Sequence, residues 1–340
     1  MTEPRRPATL GDVAQLAGVS QSTVSNVVRG ADVVAVPTRV RVEAAIERLG
    51  YRPNVLARQL LTGRATTIGI IARDLTNPFI AEMAALVERE VARHGFATMF
   101  SATDGVPAGE RRAVELMSGY RPSGVVFLSY LRRPTATRTR VEGRFPTVFV
   151  AAEASWSDSV TVDERHAGQL VAGHLVALGH ERLAFFSPRR PDHADDLRLD
   201  GFMRALAARG LRAGVIAWDP PDGVPTVDGA PIEWPEVLVG PGHPTAIFAA
   251  NDFAAIDLLD IADSLGIRVP EELSIVGFDD VEMARLRRIS LTTVGQPRGR
   301  LVRLGVERLL DRIAGRVTGP PALTQVPVEL KLRGSTGPPG

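Results

Sequence analysis

The 340-residue chain contains no cysteine, and its 40 basic side chains include one lysine, Lys331. Without thiols there is neither a disulfide nor a thiolate metal site. Leu330, not glycine, precedes Lys331, so no Gly-Lys loop is available to cradle phosphates. The G-x-S-x-G elbow and the H-E-x-x-H zinc helix are also missing, and the six histidines are scattered. "GPGH" at Gly240 has two glycines but no third at dinucleotide spacing, so it reads as a loop. No catalysis, cofactor or metal is therefore expected. No apolar run approaches the roughly 20 residues of a membrane span. The opening "MTEPRRPATL" lacks the apolar core of a secretion signal. The expectation is a cytoplasmic protein without a membrane partner.

Net charge is only +1, with 44% hydrophobic and 23% charged residues, an ordinary globular balance for two or three units. The first 64 residues differ, with nine arginines against five acids. A balance of +4 is compatible with a solvated face or with a polyanion site.

Two short helical patterns sit in "TLGDVAQLAGVSQSTVSNVVRG", Thr9 to Gly30. Leu10, Val13, Ala14 and Ala17 form one apolar stripe, with Thr9 and Asp12 as a capping box and Gly18 as the stop. Ser20 can cap the second helix, and Val24, Val27 and Val28 form its apolar side. A third helix is predicted over 38–49, with Val42, Ala45, Ile46 and Leu49 inward and Gly50 ending it. Gln21, Ser22, Ser25 and Asn26 share one polar face opposite the valines. Two helices joined by a three-residue turn containing glycine make a helix-turn-helix, whose second helix enters the DNA major groove. Gln and Asn can bond an adenine edge twice. On geometry alone, an αα-hairpin with a solvated polar face stands equally open.

A linker, "YRPNVLARQLLTGRATT", has weak helical character. From Thr66 apolar runs alternate with helices: "TIGIIA", "FATMFSA", "GVVFLSY" and "PTVFVAA", then "RLAFFS", "GVIAW", "TAIFAAN" and "LSIVGFDD". Predicted helices lie over 79–94, 109–118, 167–178, 198–209 and 252–265. Such alternation predicts parallel sheets covered on both faces, here in two similar subdomains with a cleft between them. "DPPDGVPTVDGAPIEWP" reads as a long Pro/Gly loop, and the tail "RGSTGPPG" as disordered. The tail lacks the heptads of a tetramerising helix.

The headpiece text, "AAIERLGYRPNVLARQL", "NPF", "HLVALGH", "FAANDFAA" and "IRVPEELSIVGFDD" together resemble the LacI/GalR family of bacterial repressors, in order and spacing over essentially the whole chain. The resemblance implies a small all-α helix-turn-helix headpiece, 1–52, and a hinge helix, 53–64. An α/β core, 65–340, would hold two doubly wound parallel-sheet subdomains of the type I periplasmic-binding-protein kind. The N-subdomain would take about 65–161 and 294–325, the C-subdomain about 162–293 and 326–334. It further implies a homodimer on double-stranded operator DNA, controlled by a small sugar-like effector between the subdomains. The DNA-binding positions it marks are Thr9, Gln21, Ser22, Thr23, Ser25, Asn26, Asn54, Ala57 and Leu60. Leu60 matches a minor-groove wedge, which kinks DNA. The effector positions are Asn77, Phe79, Arg198, Asn251 and Asp279, beyond the carboxyl ends of strands where α/β ligands sit. Each also has a plainer role: Asn251 or Asp279 as a cap, Arg198 as a surface charge, Phe79 as core, Leu60 as packing of a linker helix.

Three positions depart from the family pattern. Asn26 stands where Arg is usual, which favours adenine over guanine. Ala151 stands where sugar-binding members often carry Asp, and Pro220-Pro221 near an aromatic shelf, although Trp218 is close. A transport-type binding protein shares the core fold, but has no use for the first sixty residues.

Overall fold

The computed structural model describes residues 6, 8–52, 65–73, 75–128, 138–139, 141–188, 193–218 and 224–340. They form two compact units, divided between Thr66 and Thr67. The proposed hinge positions Asn54, Ala57 and Leu60, and Pro220-Pro221, lie outside the described residues.

The first unit holds three helices, α1 (Leu10–Ala17), α2 (Gln21–Val28) and α3 (Val36–Leu49). Thr9 and Asp12 make the reciprocal capping box of α1, and Gly18 ends it at φ 64°, where a Cβ would be strained. The Ser20 hydroxyl accepts from the Thr23 amide at 3.1 Å and caps α2. The shared core is small: Val13, Ala14, Ala17, Val24, Val27, Val42 and Ala45. Helix α3 begins two residues before the predicted start because Pro37, fixed in φ, suits a first helical turn. Leu49, expected inward, is exposed, and Tyr51 packs against the cluster in that region instead.

The second unit has two sheets. Strands β1 (Thr67–Ala72), β2 (Ala97–Ala102), β3 (Gly124–Phe127), β4 (Thr147–Val150), β5 (Asp158–Val162) and β13 (Leu323–Val326) form one all-parallel sheet, ordered β13-β5-β4-β3-β1-β2. The other contains β6 (Leu183–Pro188), β7 (Ala213–Trp218), β8 (Thr226–Val227), β9 (Ala230–Pro231), β10 (Ala246–Ala249), β11 (Ser274–Asp279), β12 (Thr292–Gly295) and β14 (Glu329–Lys331). Its order is β14-β12-β11-β10-β6-β7-β8-β9, parallel except for β14 and the β8–β9 hairpin. That hairpin occupies part of the stretch read as a loop, where Asp228 and Gly229 turn at positive φ.

The helices are α4 (Pro78–Arg93), α5 (Pro107–Tyr120), α6 (Glu164–Ala177), α7 (His193–Ala207), α8 (Trp234–Val239), α9 (Asp252–Ser264) and α10 (Arg298–Ile313). Strand β1 shows why the runs lack polar alternation. Ile70 packs into the main core and Ile71 into a second cluster with Phe127 and Phe149. The chain crosses between sheets three times: after β5, after β12 and after β13. Past β11, Glu282 meets Glu82 of α4 through its amide, at 3.4 Å. Arg298 also pairs with Glu82, at 2.8 Å. The carboxyl end of β11 therefore faces the first turns of the helix that follows β1.

The tail is not disordered. Ser335 is 1% exposed. The Ser335 carbonyl accepts from the Ile275 amide at 2.8 Å, its hydroxyl donates to the Ile275 carbonyl at 2.6 Å, and that hydroxyl accepts from the Thr292 amide at 2.8 Å. The Gly337 carbonyl lies 2.9 Å from His180 Nε2, and its amide donates to the Ser274 hydroxyl at 3.0 Å. Composition suggested disorder because the tail has little to bury; its order comes from buried polar groups at the starts of β11 and β12 that need partners.

Candidate functional site

On the headpiece, α2 turns Val24 and Val27 inward and leaves Gln21 and Ser22 exposed on its first turn. Ser22 and Thr23 also meet the capping Ser20 hydroxyl, at 2.7 and 2.9 Å. Ser25 and Asn26 are half-buried on the next turn. Thr9 uses its hydroxyl in the α1 cap, donating to Asp12 at 2.7 Å. Helical apolar periodicity does not single out Arg29. Arg29 donates to the Asn26 side-chain carbonyl at 2.6 Å, so a guanidinium sits beside the position where arginine was expected and not found. The signal was available: i and i+3 are neighbours on a helix.

In the core, two glycines build the polar cluster. A Cβ on Gly168 of α6 would lie 2.2 Å from the Arg198 carbonyl, and one on Gly201 of α7 would lie 2.0 Å from the Arg165 carbonyl. Only glycine lets these backbones approach so closely. Arg198, one turn from Gly201, thereby reaches Glu164, one turn from Gly168, at 2.6 Å. It also meets Asp195 at 3.2 Å and the Ala250 carbonyl at 2.6 Å. Its guanidinium carbon stands 3.6 Å above the Phe278 ring centroid. Arg198 is 6% exposed, so it is no surface charge. Burial alone would lower its pKa, but Glu164 and Asp195 hold it above the ordinary value, and it stays charged.

Asp279 ends β11 at φ 120° and Asp280 follows at φ 56°, two non-glycine residues in the left-handed region. The Gln296 amide donates to the Asp279 carboxyl at 2.8 Å. Burial pushes Asp279 well above the usual carboxylate range; Arg198 opposes this and Asp252 adds to it. Asp252 accepts from Thr293 at 2.5 Å and from the Val281 amide at 2.9 Å. A Cβ on Gly277 would lie 2.2 Å from its carboxylate. Burial raises Asp252 to about 7, against the Thr293 and Val281 hydrogen bonds. Asp280, by contrast, holds ion pairs with Arg285 at 2.9 Å and with Arg333. Burial would raise it, but those arginines hold it below the ordinary value.

The structure thus joins Arg198 and Asp279 in one buried cluster, with Ala250 beside Asn251. Glu164, Asp195, Asp252 and Gln296 belong to it as well, none singled out in the sequence because its plain periodicity gives them no signal. Asn251 caps α9 by accepting from the Ala254 amide at 2.9 Å. Asn77 caps α4 by accepting from the Phe79 amide at 2.9 Å. Phe79 is 5% exposed and packs in the main core. Trp218 packs 5.5 Å from Trp234 and 6.4 Å from Phe186, centroid to centroid. Ala151 takes φ 54°, a conformation that Asp adopts more readily than Ala. Among the described residues no group of acids and histidines could hold a metal, and no helix is long and apolar enough to cross a membrane.

Residues 9–54 match the family described as bacterial regulatory proteins, lacI family, and residues 172–336 match the periplasmic binding protein-like domain. The chain is 32% identical over 311 residues to the HTH-type transcriptional repressor PurR of Vibrio atlanticus, covering 90% of this chain and 92% of that one. It is 31% identical over 340 residues to the ribose operon repressor of Escherichia coli, covering 96% and 99%. The structure of the lac repressor dimer bound to operator and the anti-inducer ONPF superposes with a TM-score of 0.80 at 28% identity, covering 98% of this chain and 100% of that one. These relatives are repressors and not enzymes. The protein is a DNA-binding transcriptional regulator, and the chain belongs to the lacI family of bacterial regulatory proteins.

Proposed function

We propose that the protein is a cytoplasmic homodimeric repressor that binds a pseudo-palindromic operator and responds to a small hydroxylated metabolite held between its subdomains. The observation that carries the DNA reading is α2. Its first turn is fixed by Ser20 and the inward valines, and it leaves Gln21 and Ser22 exposed where base edges would lie. Thr23, Ser25 and Thr9 line the same approach, with Thr9 suited to phosphate. One headpiece reads half a site, so two-fold pairing of chains matches a two-fold operator. Asn26 and Arg29 act as a unit: the arginine steers the amide and brings a guanine-reading guanidinium to the same face. In the 53–64 segment, Asn54, Ala57 and Leu60 contact the operator centre, a role that rests on the family resemblance alone.

For the metabolite, the support is the cluster at the strand ends. Arg198 and Asp279 offer a charged donor and a carboxyl group within one buried network, and Asn251, Asn77 and Phe79 stand at the neighbouring strand ends. A relative is named for the ribose operon and another is seen with an anti-inducer, which supports a sugar-like class.

The test is operator selection from random duplexes with the full-length protein, followed by titration of the selected site. A symmetric site bound by two chains, with affinity falling steeply as salt rises, is expected. Tight binding of one chain to an asymmetric half-site would overturn the reading.

A further inference from the structure

The tail, residues 334–340, lies across the amino ends of β11 and β12, opposite the ends that carry Asp279 and lead to Gln296. Ser335 serves both strands: its carbonyl takes the Ile275 amide and its hydroxyl the Thr292 amide, each at 2.8 Å. Arg333, just ahead of the tail, is held by Asp280.

Two histidines face the tail. His174, in the last turn of α6, stands 3.1 Å through Nε2 from the Thr336 hydroxyl, which is itself 3.1 Å from the Thr292 hydroxyl. His180, which follows α6, is 1% exposed and uses both ring nitrogens. Its Nδ1 lies 2.9 Å from the Thr245 hydroxyl; its Nε2 lies 2.9 Å from the Gly337 carbonyl and 3.1 Å from the Ser274 hydroxyl. A carbonyl only accepts, so Nε2 carries the hydrogen and Nδ1 accepts from Thr245. A second proton would turn the Thr245 hydroxyl toward the Arg182 carbonyl, at 3.3 Å, and would leave a full charge in a closed space. No carboxylate offsets it: Glu181 is exposed, and among the described residues neither ring has an acid within ion-pair reach. The Arg182 side chain turns away to the His243 carbonyl, at 2.9 Å. Burial holds both imidazoles below their ordinary range, against the Gly337 carbonyl at His180 and together with the His180 charge at His174.

We propose that residues 334–340 are a proton-released strap, which stays docked while His174 and His180 are neutral and lets go as pH falls. Undocking uncovers the two rings and lets water solvate their charge. A histidine that resists protonation when docked favours docking above its ordinary value of 6.5, and that contribution is lost as pH falls below it. The docking constant falls by at most about tenfold per pH unit for each histidine. The direction is opposite to that of Asp252, whose raised pKa makes the fold firmer on the acid side. Loosening of the tail in acid is therefore separable from the titration of the core.

Hydrogen exchange of the full-length protein, corrected for the intrinsic pH dependence of exchange, reads tail opening at the Ile275 and Thr292 amides. Between about pH 7.5 and 5.5 their protection is expected to fall by about tenfold or more. Ile247 and Phe248, inside the sheet, should keep theirs. His180→Gln keeps a donor toward Gly337 without titrating, and His174→Gln does the same toward Thr336 at a half-buried position. Each is expected to flatten the fall, and the two together to abolish it. Should His180→Gln loosen the tail at pH about 7.5 by itself, His174→Gln decides. Protection that does not change with pH, a parallel loss at Ile247 and Phe248, or an acid-side fall as large in His174→Gln as in the wild type overturns the proposal.

Discussion

The headpiece and the core solve the problem of presenting polar groups in opposite ways. In the headpiece, Gln21 and Ser22 project outward from a helix held by seven small buried residues, and the elements that place them lie within forty residues. In the core, Arg198 is held by Glu164, Asp195 and Ala250, drawn from a different helix, its own helix and the end of β10. A reading face must stay exposed to meet DNA, so its side chains are left with spare hydrogen-bonding capacity. A switch must store two arrangements, so its charges are buried, paired and sensitive to small displacements.

The largest expected effect is on the core side. Arg198→Ala leaves Glu164 and Asp195 buried without their cation and should cost about 3–5 kcal/mol. Calorimetry should show the core transition dropping while the headpiece retains its helical signal. Equal losses in both units would break the distinction between them.

Next, deleting residues 334–340 strips partners from Ser274, His180 and the amides of Ile275 and Thr292. Unpaired buried polar groups cost about 1–3 kcal/mol each, and water re-pairs some of them, so a net loss of about 2–4 kcal/mol is expected in denaturant melts. No change in the midpoint would mean that the tail merely lies on the surface.

A third effect concerns pH. Asp252 is raised to about 7 in the fold by burial, against an ordinary value of 3.8. A raised pKa means that the folded state holds its proton longer than the unfolded chain does. Its contribution to stability is therefore fully present below pH about 4 and is lost as pH rises through about 7. Asp252→Asn, which mimics the protonated acid, should flatten the fall in Tm across that window. An identical Tm profile in the variant would place the titration elsewhere.

The smallest effect on stability, and a sharp one on recognition, belongs to the headpiece. Arg29→Ala frees Asn26 and removes a guanidinium; the fold should not notice. Base preference should shift at one symmetric pair of operator positions by about 1–3 kcal/mol. An unchanged selected consensus would show that neither side chain reads bases.

The same contrast explains what could be read in the sequence. Capping box, glycine stop and valine stripe are local signals, and they locate both ends of α1 and the start of α2. The alternation of apolar runs with helices gives both sheets, because strands buried on two faces need no polar alternation. Helix starts slipped where the first turn is polar: α6 begins at Glu164 and α7 at His193, ahead of their apolar residues. Arg198 and Asp279 were legible only through resemblance. Glu164, Asp195 and Asp252 were not legible at all, because what makes them partners is the contact of Gly168 with Gly201 and the approach of Gly277, which no periodicity reveals. The tail was misread for the converse reason: its order comes from other residues' unmet hydrogen bonds and not from its own composition.

The most direct test of the account is linkage between the two regions. A thermal-shift screen of sugars and related metabolites supplies a compound that stabilises the native protein by mass action. Its affinity is then measured with and without operator, and operator affinity with and without the compound, in the wild type and in Asp279→Ala. The account predicts that each partner changes the other's affinity by the same factor in the wild type. In the variant that factor should fall to one while operator binding alone survives. A compound that binds the core without altering operator affinity, or a full response retained by Asp279→Ala, would contradict it.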